Sequence, residues 1–281
     1  GAGEVTISWQ GQNDPFEASA NPTGYRVYLS TDGACFDDGR VANGTSSHIV
    51  SGLAPGQTVY ARVTATNAGG ESLWSELICA RTPDAAAAGL ATPLLLVSGY
   101  DRLDEFTWYQ QGATVNSGDM HMRNHRDSLR RHAQAAAAAS TSAGGGYFFD
   151  SASNESVIAG QVNLGSYAAV DWVLGNESTA DETFSATEQA LVAAYLAGGG
   201  AMFISGSEVA WDLDQQGGTA DRAFYENTLR ANYVADSSAD WSVVAEAGSV
   251  FDGLAPFTID DGSGNSYTVG YPDVIAANAG S

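Results

Sequence analysis

Two glutamates have the position and chemistry for proton transfer, because each follows an apolar run in the second half of the chain. Glu177 follows residues 168–175 (AAVDWVLG), and Glu208 follows residues 201–206 (AMFISG). Two neighbouring carboxylates can act as general acid and general base, since proximity pushes their pKa values apart. Such pairs hydrolyse glycosides, and with a hard cation they form calcium or magnesium sites. The alternative is that both side chains accept hydrogen bonds from free N–H groups at helix starts.

Ser207 is the third candidate catalytic residue. It lies at a predicted strand-to-helix turn, but Val209 and Ala210 follow it, so the G-x-S-x-G motif of serine hydrolases is not met. A serine nucleophile also needs a positioned base. The histidines of this region all fall on one predicted helix: His121, His125 and His132. The alternative role of Ser207 is that of a helix N-cap.

A helical pattern between the two apolar runs predicts a β-α-β unit. The segment TFSATEQALVAAYLAGGG (183–200) begins at a capping serine and ends at glycines. Further strands are predicted in PLLLVSGYD (93–101) and YFFDS (147–151), and further helices over 119–139 and 219–234. This alternation predicts a three-layer α/β domain with a mainly parallel sheet and helices on both faces.

The turns that follow the strands should meet at one edge of this sheet, because crossover connections are right-handed. Ligands bind at that edge in open α/β sheets. We call it the rim and expect it to comprise residues 98–102, 150–154, 175–178 and 206–212. Besides the two glutamates, its expected ligand-binding residues are Asp101, Arg102, Asp150, Trp211 and Asp212. The arginine could bind an anionic sugar, and the tryptophan could stack on a sugar ring. The three aspartates could join Glu177 and Glu208 in one group of carboxylates.

The first 83 residues have the pattern of an all-β module. Short strand patterns recur between turn signals such as Asp32-Gly33 and Pro55-Gly56. Trp9 lies in the first full strand, Tyr60 follows an L-x-P-G turn, and RVTATN (62–67) precedes GGES (69–72). On these residues the module resembles the fibronectin type III family. The resemblance implies a seven-stranded sandwich, with the first strand short or missing.

The second region also resembles a known family. The resemblance rests on three segments: FDSASNESV (149–157), the run from Val170 to Asp214, and DRAFYENTLRANYVAD (221–236). They resemble a domain of large secreted bacterial proteins labelled xanthan-lyase-like or amidase-like, which carry fibronectin type III modules beside it. That domain is similar to the class I glutamine amidotransferase-like, flavodoxin-like group. We therefore expect a fibronectin type III domain over 1–83, a linker over 84–92, and an amidotransferase-like α/β domain over 93–281.

The second resemblance also bears on the reaction. Active members of the group have a cysteine at a strand-to-helix turn, where a helix N-terminus lowers the thiol pKa and backbone amides stabilise an oxyanion. The matching place here, residues 204–208, reads ISGSE and has no cysteine. A cysteine amidotransferase is therefore not expected. An enzyme of this sequence would be a carboxylate-dependent hydrolase or lyase.

The charge balance limits the classes of partner. The chain has 33 acidic residues against 11 basic ones, all of them arginine, and a formal net charge of −22. Such a surface repels nucleic acid, which needs a basic footprint on the protein. No apolar run approaches the roughly 18 residues of a membrane span, so no membrane insertion is expected. The acidity fits either solubility in saline surroundings or calcium binding through carboxylates, and we expect no cofactor other than calcium.

The two cysteines, Cys35 and Cys79, both lie in the β module. An even pair in a small β domain fits one structural disulfide and an oxidising compartment. The alternative is two unpaired, buried thiols.

Three functions are compatible with these patterns. The first is a non-catalytic interaction or scaffold module, secreted or at the cell surface, whose partners are extracellular polysaccharide or other surface proteins. The second is a secreted hydrolase or lyase that acts on polysaccharide or cell-wall material through Glu177 and Glu208. The third is a structural subunit of a surface layer or filament.

Overall fold

The computed structural model describes residues 3–11, 13–84, 93–101, 128–139, 146–238, 240–259 and 269–278. The chain divides into two compact units. The first consists of Gly1–Ser98, Arg126–Val173 and Gly200–Phe203, and the second of Gly99–His125, Leu174–Gly199 and Ile204–Ser281. The predicted linker lies outside the described residues except for Asp84, and the predicted domain boundaries stay a prediction.

The first unit begins with a β-sandwich. Its strands are β1 (Glu4–Ser8), β2 (Gly24–Ser30), β3 (Arg40–Val41), β4 (Ser47–Ser51), β5 (Thr58–Asn67), β6 (Gly70–Glu71) and β7 (Ile78–Arg81). One sheet is the antiparallel pair β1–β4, and the other has the antiparallel order β3-β2-β5-β7. Alternate residues of these strands face inward and form the sandwich core of Ile7, Val27, Ala61 and Val63. The all-β sandwich predicted for this region is confirmed.

The larger sheet of the sandwich continues into strands from later in the sequence. These are β8 (Leu94–Ser98), β9 (Phe149–Ser153), β10 (Ala169–Gly175) and β11 (Ala201–Gly206). Strand β9 pairs with β7 in the antiparallel sense, whereas β8 pairs with β9 and β10 in the parallel sense. The strand order is β11-β10-β8-β9-β7-β5-β2-β3, with β6 beside β5. The sheet is therefore mixed, and β9 occupies the edge that the sandwich would otherwise leave open.

A second core forms on the outer face of β5 and β7. Helix α1 (Ser128–Ala138) packs there through Leu129 and Ala133. The buried members of this second core are Tyr60, Leu77, Cys79, Leu96, Leu129, Ala133, Phe149 and Val173. The sandwich and the strands that follow it thus share buried side chains within the first unit. Helix α1 falls inside the predicted helix 119–139, whose first part lies outside the described residues.

The second unit contains the helix of the β-α-β pattern. Helix α3 (Ala186–Ala197) begins at the capping box of Ser185 and Glu188 and is followed by Gly198, as the sequence predicted. A shorter helix, α2 (Asn154–Ile158), precedes it in the chain and belongs to the first unit. The flavodoxin-like arrangement stays a prediction.

The rest of the second unit follows β11. A π-helix (Trp211–Gln216) leads into α4 (Thr219–Asn227), and the strands after them are β12 (Ala231–Ala235), β13 (Ser242–Val243), β14 (Phe257–Thr258) and β15 (Val274–Ala277). Strand β12 pairs with β15 and β13 with β14, both antiparallel. The core here includes Leu213, Phe224 and Phe184, and the two phenylalanine rings lie 5.7 Å apart. In the part of the chain that the structure describes, no helix has the length and apolar character to cross a membrane.

The substitution Leu77→Ala tests the second core. Leu77 has no exposed surface, so the cavity should lower the free energy of unfolding by about 2–5 kcal/mol. Leu73→Ala is the matched control, because Leu73 is 92% exposed and should change stability by about 0.5 kcal/mol or less. Urea denaturation measures both, and equal effects of the two variants would contradict the second core.

Candidate functional site

The strand-to-helix turn after β11, which we call the elbow, comprises residues 206–211. The N–H of Ser207 donates to the carbonyl of Gly175 at 2.9 Å. Gly206 is required there, because a Cβ atom would lie 2.7 Å from Val209 Cγ2 and 3.1 Å from the Cβ of Leu174. The turns after β10 and β11 therefore meet in the second unit, as predicted for the rim.

Asp273 is the residue that holds the elbow, and the sequence analysis missed it. Its Oδ2 accepts the N–H groups of Ala210 at 2.8 Å and Trp211 at 2.9 Å, and its own N–H donates to the carbonyl of Ser207 at 2.9 Å. These bonds satisfy N–H groups that a helix start leaves free. The contacts join positions about 60 residues apart, so the local sequence around Asp273 does not predict them.

The environment of Asp273 disfavours its charge. Burial raises the pKa of its carboxyl to about 6, against the lowering by the two backbone hydrogen bonds, and repulsion from Glu208 and Asp236 adds to the rise. Its second oxygen, Oδ1, is buried and has no hydrogen-bond partner among the described residues, and the same holds for the hydroxyl of Ser207. The carboxyl group that binds the elbow is therefore more easily protonated than an ordinary aspartate.

Glu177 is a buried residue whose side chain connects two turns by a hydrogen bond. It is 1% exposed, and its carboxylate accepts the backbone N–H of Asp101. These two residues follow β10 and β8, so the bond fixes one turn against the other inside the second unit. The bond shows a structural role for this carboxylate, and the predicted catalytic role of Glu177 stays a prediction.

Asp212 and Asp214 likewise bind backbone groups. Asp212 accepts the N–H of Thr183 at 2.9 Å and its hydroxyl at 2.6 Å, and Thr183 is 1% exposed. Asp214 accepts the N–H of Tyr233 at 2.7 Å. The ring of Trp211 packs against that of Tyr233 with 6.0 Å between centroids, which occupies part of the surface expected to stack on a sugar.

Two predicted ligand-binding residues are not placed at this site. Asp150 is the second residue of β9 and lies in register with Leu95, three residues before the strand ends at Ser153. This spacing is about 10 Å along the strand, so Asp150 lies within β9 rather than in the turn after it, and its ligand-binding role stays a prediction. It is exposed and accepts the hydroxyl of Tyr167 at 3.3 Å. Arg102 lies outside the described residues.

His132, which the sequence analysis considered as a base, has a partner of its own. Its Nδ1 lies 2.7 Å from Asp171 Oδ2, and both residues belong to the first unit. Asp171 lies in the middle of β10, in register with Leu96, rather than at the end of a strand. The pair therefore links α1 to the sheet.

The predicted disulfide is not formed in the structure, where both cysteines are free thiols. Cys79 lies on the face of β7 that packs in the second core, and its N–H donates to the hydroxyl of Ser151 at 2.6 Å. Cys35 is exposed in the turn after β2. The two side chains thus lie in different environments, and burial raises the pKa of the Cys79 thiol to about 12. The alternative of two buried thiols holds only for Cys79.

Within the described residues, no group of three or more His, Cys, Asp or Glu side chains could hold a metal ion. Calcium binding, the alternative explanation of the acidity, stays a prediction.

Residues 1–80 match the fibronectin type III domain family, and they form a fibronectin type III domain. None of the curated proteins matches the chain. Similar solved structures include the sixth fibronectin type III domain of human fibronectin type III domain containing protein 3, with 25% identity, 30% of this chain and 76% of that chain covered, and a TM-score of 0.26. A structure described as a myokine has 23% identity, coverages of 29% and 84%, and a TM-score of 0.23.

The state of the cysteines can be measured by thiol titration without reductant. We expect one fast-reacting thiol in the native protein, Cys35, and two after unfolding, because reagents reach Cys79 only when the second core opens. If the unfolded protein showed no thiol before reduction and two thiols after it, the predicted disulfide would be present.

Asp212→Ala tests whether this acid has a structural role. The variant leaves the buried N–H and hydroxyl of Thr183 without their acceptor, so the free energy of unfolding should fall by about 1–3 kcal/mol. The control is Asp240→Ala, an acid in an exposed turn that bonds the N–H of Ser242. Thermal unfolding compares the two, and an Asp212 variant as stable as the control would mean that the carboxylate is free for another role.

Proposed function

We propose that the chain is a non-catalytic interaction or scaffold module, secreted or at the cell surface, that binds extracellular polysaccharide or other surface proteins. Its second region is an amidotransferase-like, flavodoxin-like domain that has lost its catalytic group. The fibronectin type III domain at residues 1–80 fits a cell-surface or scaffold role.

The observation that carries this proposal is the use of the acids near the elbow. Glu177, Asp212 and Asp273 each accept backbone N–H groups of neighbouring turns. A catalytic carboxylate must instead face the reacting atoms, within hydrogen-bond reach of the proton that it moves. These three acids stabilise turns of the second unit.

The absence of the expected nucleophile supports the same proposal. Cys35 and Cys79 belong to the β-sandwich, and the elbow has Ser207 where the amidotransferase-like group has cysteine. In the second unit, Ser207 follows Gly206 directly and has a buried hydroxyl. Among the described residues no base is bonded to this hydroxyl, and a serine nucleophile needs one; His121 and His125 lie outside the described residues.

The second candidate function is a secreted hydrolase or lyase, which one observation favours. Glu208 and Asp273 interact electrostatically at the elbow, and the carboxyl of Asp273 has a pKa of about 6. A carboxyl whose pKa is raised beside a second carboxyl resembles the arrangement of a catalytic acid and base. In this alternative, Asp273 takes the place that the sequence analysis gave to Glu177.

A polysaccharide screen with two readouts distinguishes the proposals. Neutral and acidic polysaccharides are tested for binding and for release of new chain ends, with and without calcium, using the wild type, Glu208→Gln and Asp240→Asn. The interaction module should bind at least one polysaccharide and release no chain ends in any of the three proteins.

The opposite outcome would establish the enzyme. In that case the wild type and Asp240→Asn release chain ends. The rate of release by Glu208→Gln is lower by about 100-fold or more, because a general acid or base has been removed.

A further inference from the structure

Aromatic rings and a guanidinium group pack together on the outer face of the β-sandwich, within the first unit. Tyr28 on β2 and Arg62 on β5 point to this face, because their strand neighbours pack in the sandwich core. Phe36 and Trp74 come from the segments after β2 and β6. The Trp74 ring centroid lies 5.5 Å from that of Tyr28 and 5.4 Å from that of Phe36. We call these four residues the ladder.

The ladder holds the Trp74 ring in place but leaves it accessible. The Arg62 guanidinium carbon lies over this ring, 5.7 Å from its centre, and 5.8 Å from the centre of the Phe36 ring. Arg62 is 5% exposed and donates from Nη1 to the carbonyl of Ser75 at 2.7 Å. Trp74 nevertheless keeps 46% of its surface exposed. A ligand would therefore meet a ring that is already ordered, which lowers the entropy cost of binding.

A carboxylate with one available oxygen lies next to the ladder. Glu71 on β6 is exposed, and its Oε1 accepts the hydroxyls of Tyr28 and Thr64, each at 2.5 Å. Its Oε2 makes no hydrogen bond or ion pair with any residue that the structure describes. The two hydroxyls fix the orientation of the carboxylate, and they lower the pKa of Glu71. An ionised acceptor is thus available to a ligand that contacts Trp74.

We propose that Trp74 and Glu71 form a binding site for a neutral sugar ring of a polysaccharide. The open face of Trp74 stacks on the C–H groups of the sugar ring, and Glu71 Oε2 accepts a hydrogen bond from a sugar hydroxyl. A sugar ring has apolar faces and a polar edge, so an apolar platform beside a fixed acceptor matches it. The inference rests on the proposed function, because it specifies where the polysaccharide binds and which class of polysaccharide it is.

The charges around Trp74 disfavour charged ligands. The guanidinium group of Arg62 lies behind the ring, and its positive charge weakens the attraction of a second cation to the open face. An acidic sugar would meet the carboxylate of Glu71 and a chain with a formal net charge of −22. A neutral sugar meets neither repulsion.

The test is affinity electrophoresis of the whole chain in gels that contain dextran, galactomannan or polygalacturonate. A neutral polysaccharide, dextran or galactomannan, should retard the wild type, and polygalacturonate should not. Trp74→Ala should weaken this binding by about 10-fold or more, because it removes the aromatic anchor. Leu73→Ala is the matched control and should bind like the wild type, because Leu73 is 92% exposed and lies outside the ladder.

Glu71→Gln tests the polar half of the site. The amide oxygen can still accept the hydroxyls of Tyr28 and Thr64, but the charged Oε2 is lost, so binding should weaken by about 10-fold. This variant decides if Trp74→Ala does not fold. Unchanged binding of a neutral polysaccharide by Glu71→Gln or by folded Trp74→Ala would overturn the site and leave the proposed function standing.

The wild type alone separates the remaining outcomes. Retardation by polygalacturonate only would overturn the neutral-sugar site but still support polysaccharide binding. If none of the three polysaccharides retards the wild type, both the site and the polysaccharide-binding function fail.

Discussion

The first unit depends on the burial of both faces of strands β5 and β7. Side chains alternate along a strand, so Ala61 and Ile78 pack in the sandwich while their neighbours Tyr60 and Cys79 pack in the second core. The turn after β2 takes part as well, because the carbonyl of Asp32 accepts Arg130 Nε at 2.6 Å. A slip of one residue would move every side chain of a strand to the opposite face, so two cores fix the register from both sides. A ligand of the fibronectin type III domain must then bind on a surface other than the part that α1 and β9 cover.

The two cores hold the strands of the first unit in place. In the second unit, hydrogen bonds from backbone N–H groups to carboxylates hold the turns in place. With 33 acids and 11 arginines, most carboxylates cannot pair with a cation. Glu188 and Asp221 therefore cap α3 and α4, and Asp273 caps the helical segment of the elbow. This use of acids gives the turns a defined geometry. It also makes acidic residues beside a strand end a weak indication of catalysis in a chain of this composition.

Much of the fold was predictable because its signals are local. The alternation in VTISW located β1, and the serine and glutamate of SATE located the start of α3. The bounds of β9 were less predictable, because the apolar run YFF does not show that the strand begins only at Phe149 and continues to Ser153. The second core and the role of Asp273 could not be predicted, since both depend on contacts between segments that are remote in sequence. Likewise, the count of cysteines favoured a disulfide, whereas strand alternation directs Cys79 into a core that Cys35 does not share.

The central claim is that the sandwich and the strands β8 and β9 form one cooperative structure through the second core. Native-state hydrogen exchange at increasing denaturant concentration measures this most directly, because it gives an opening free energy for each amide. We predict the same opening free energy for the amides of Val63 in β5 and Leu96 in β8, with the two values converging on the global unfolding value. An opening of Leu96 at clearly lower free energy, while Val63 remains protected, would contradict the account.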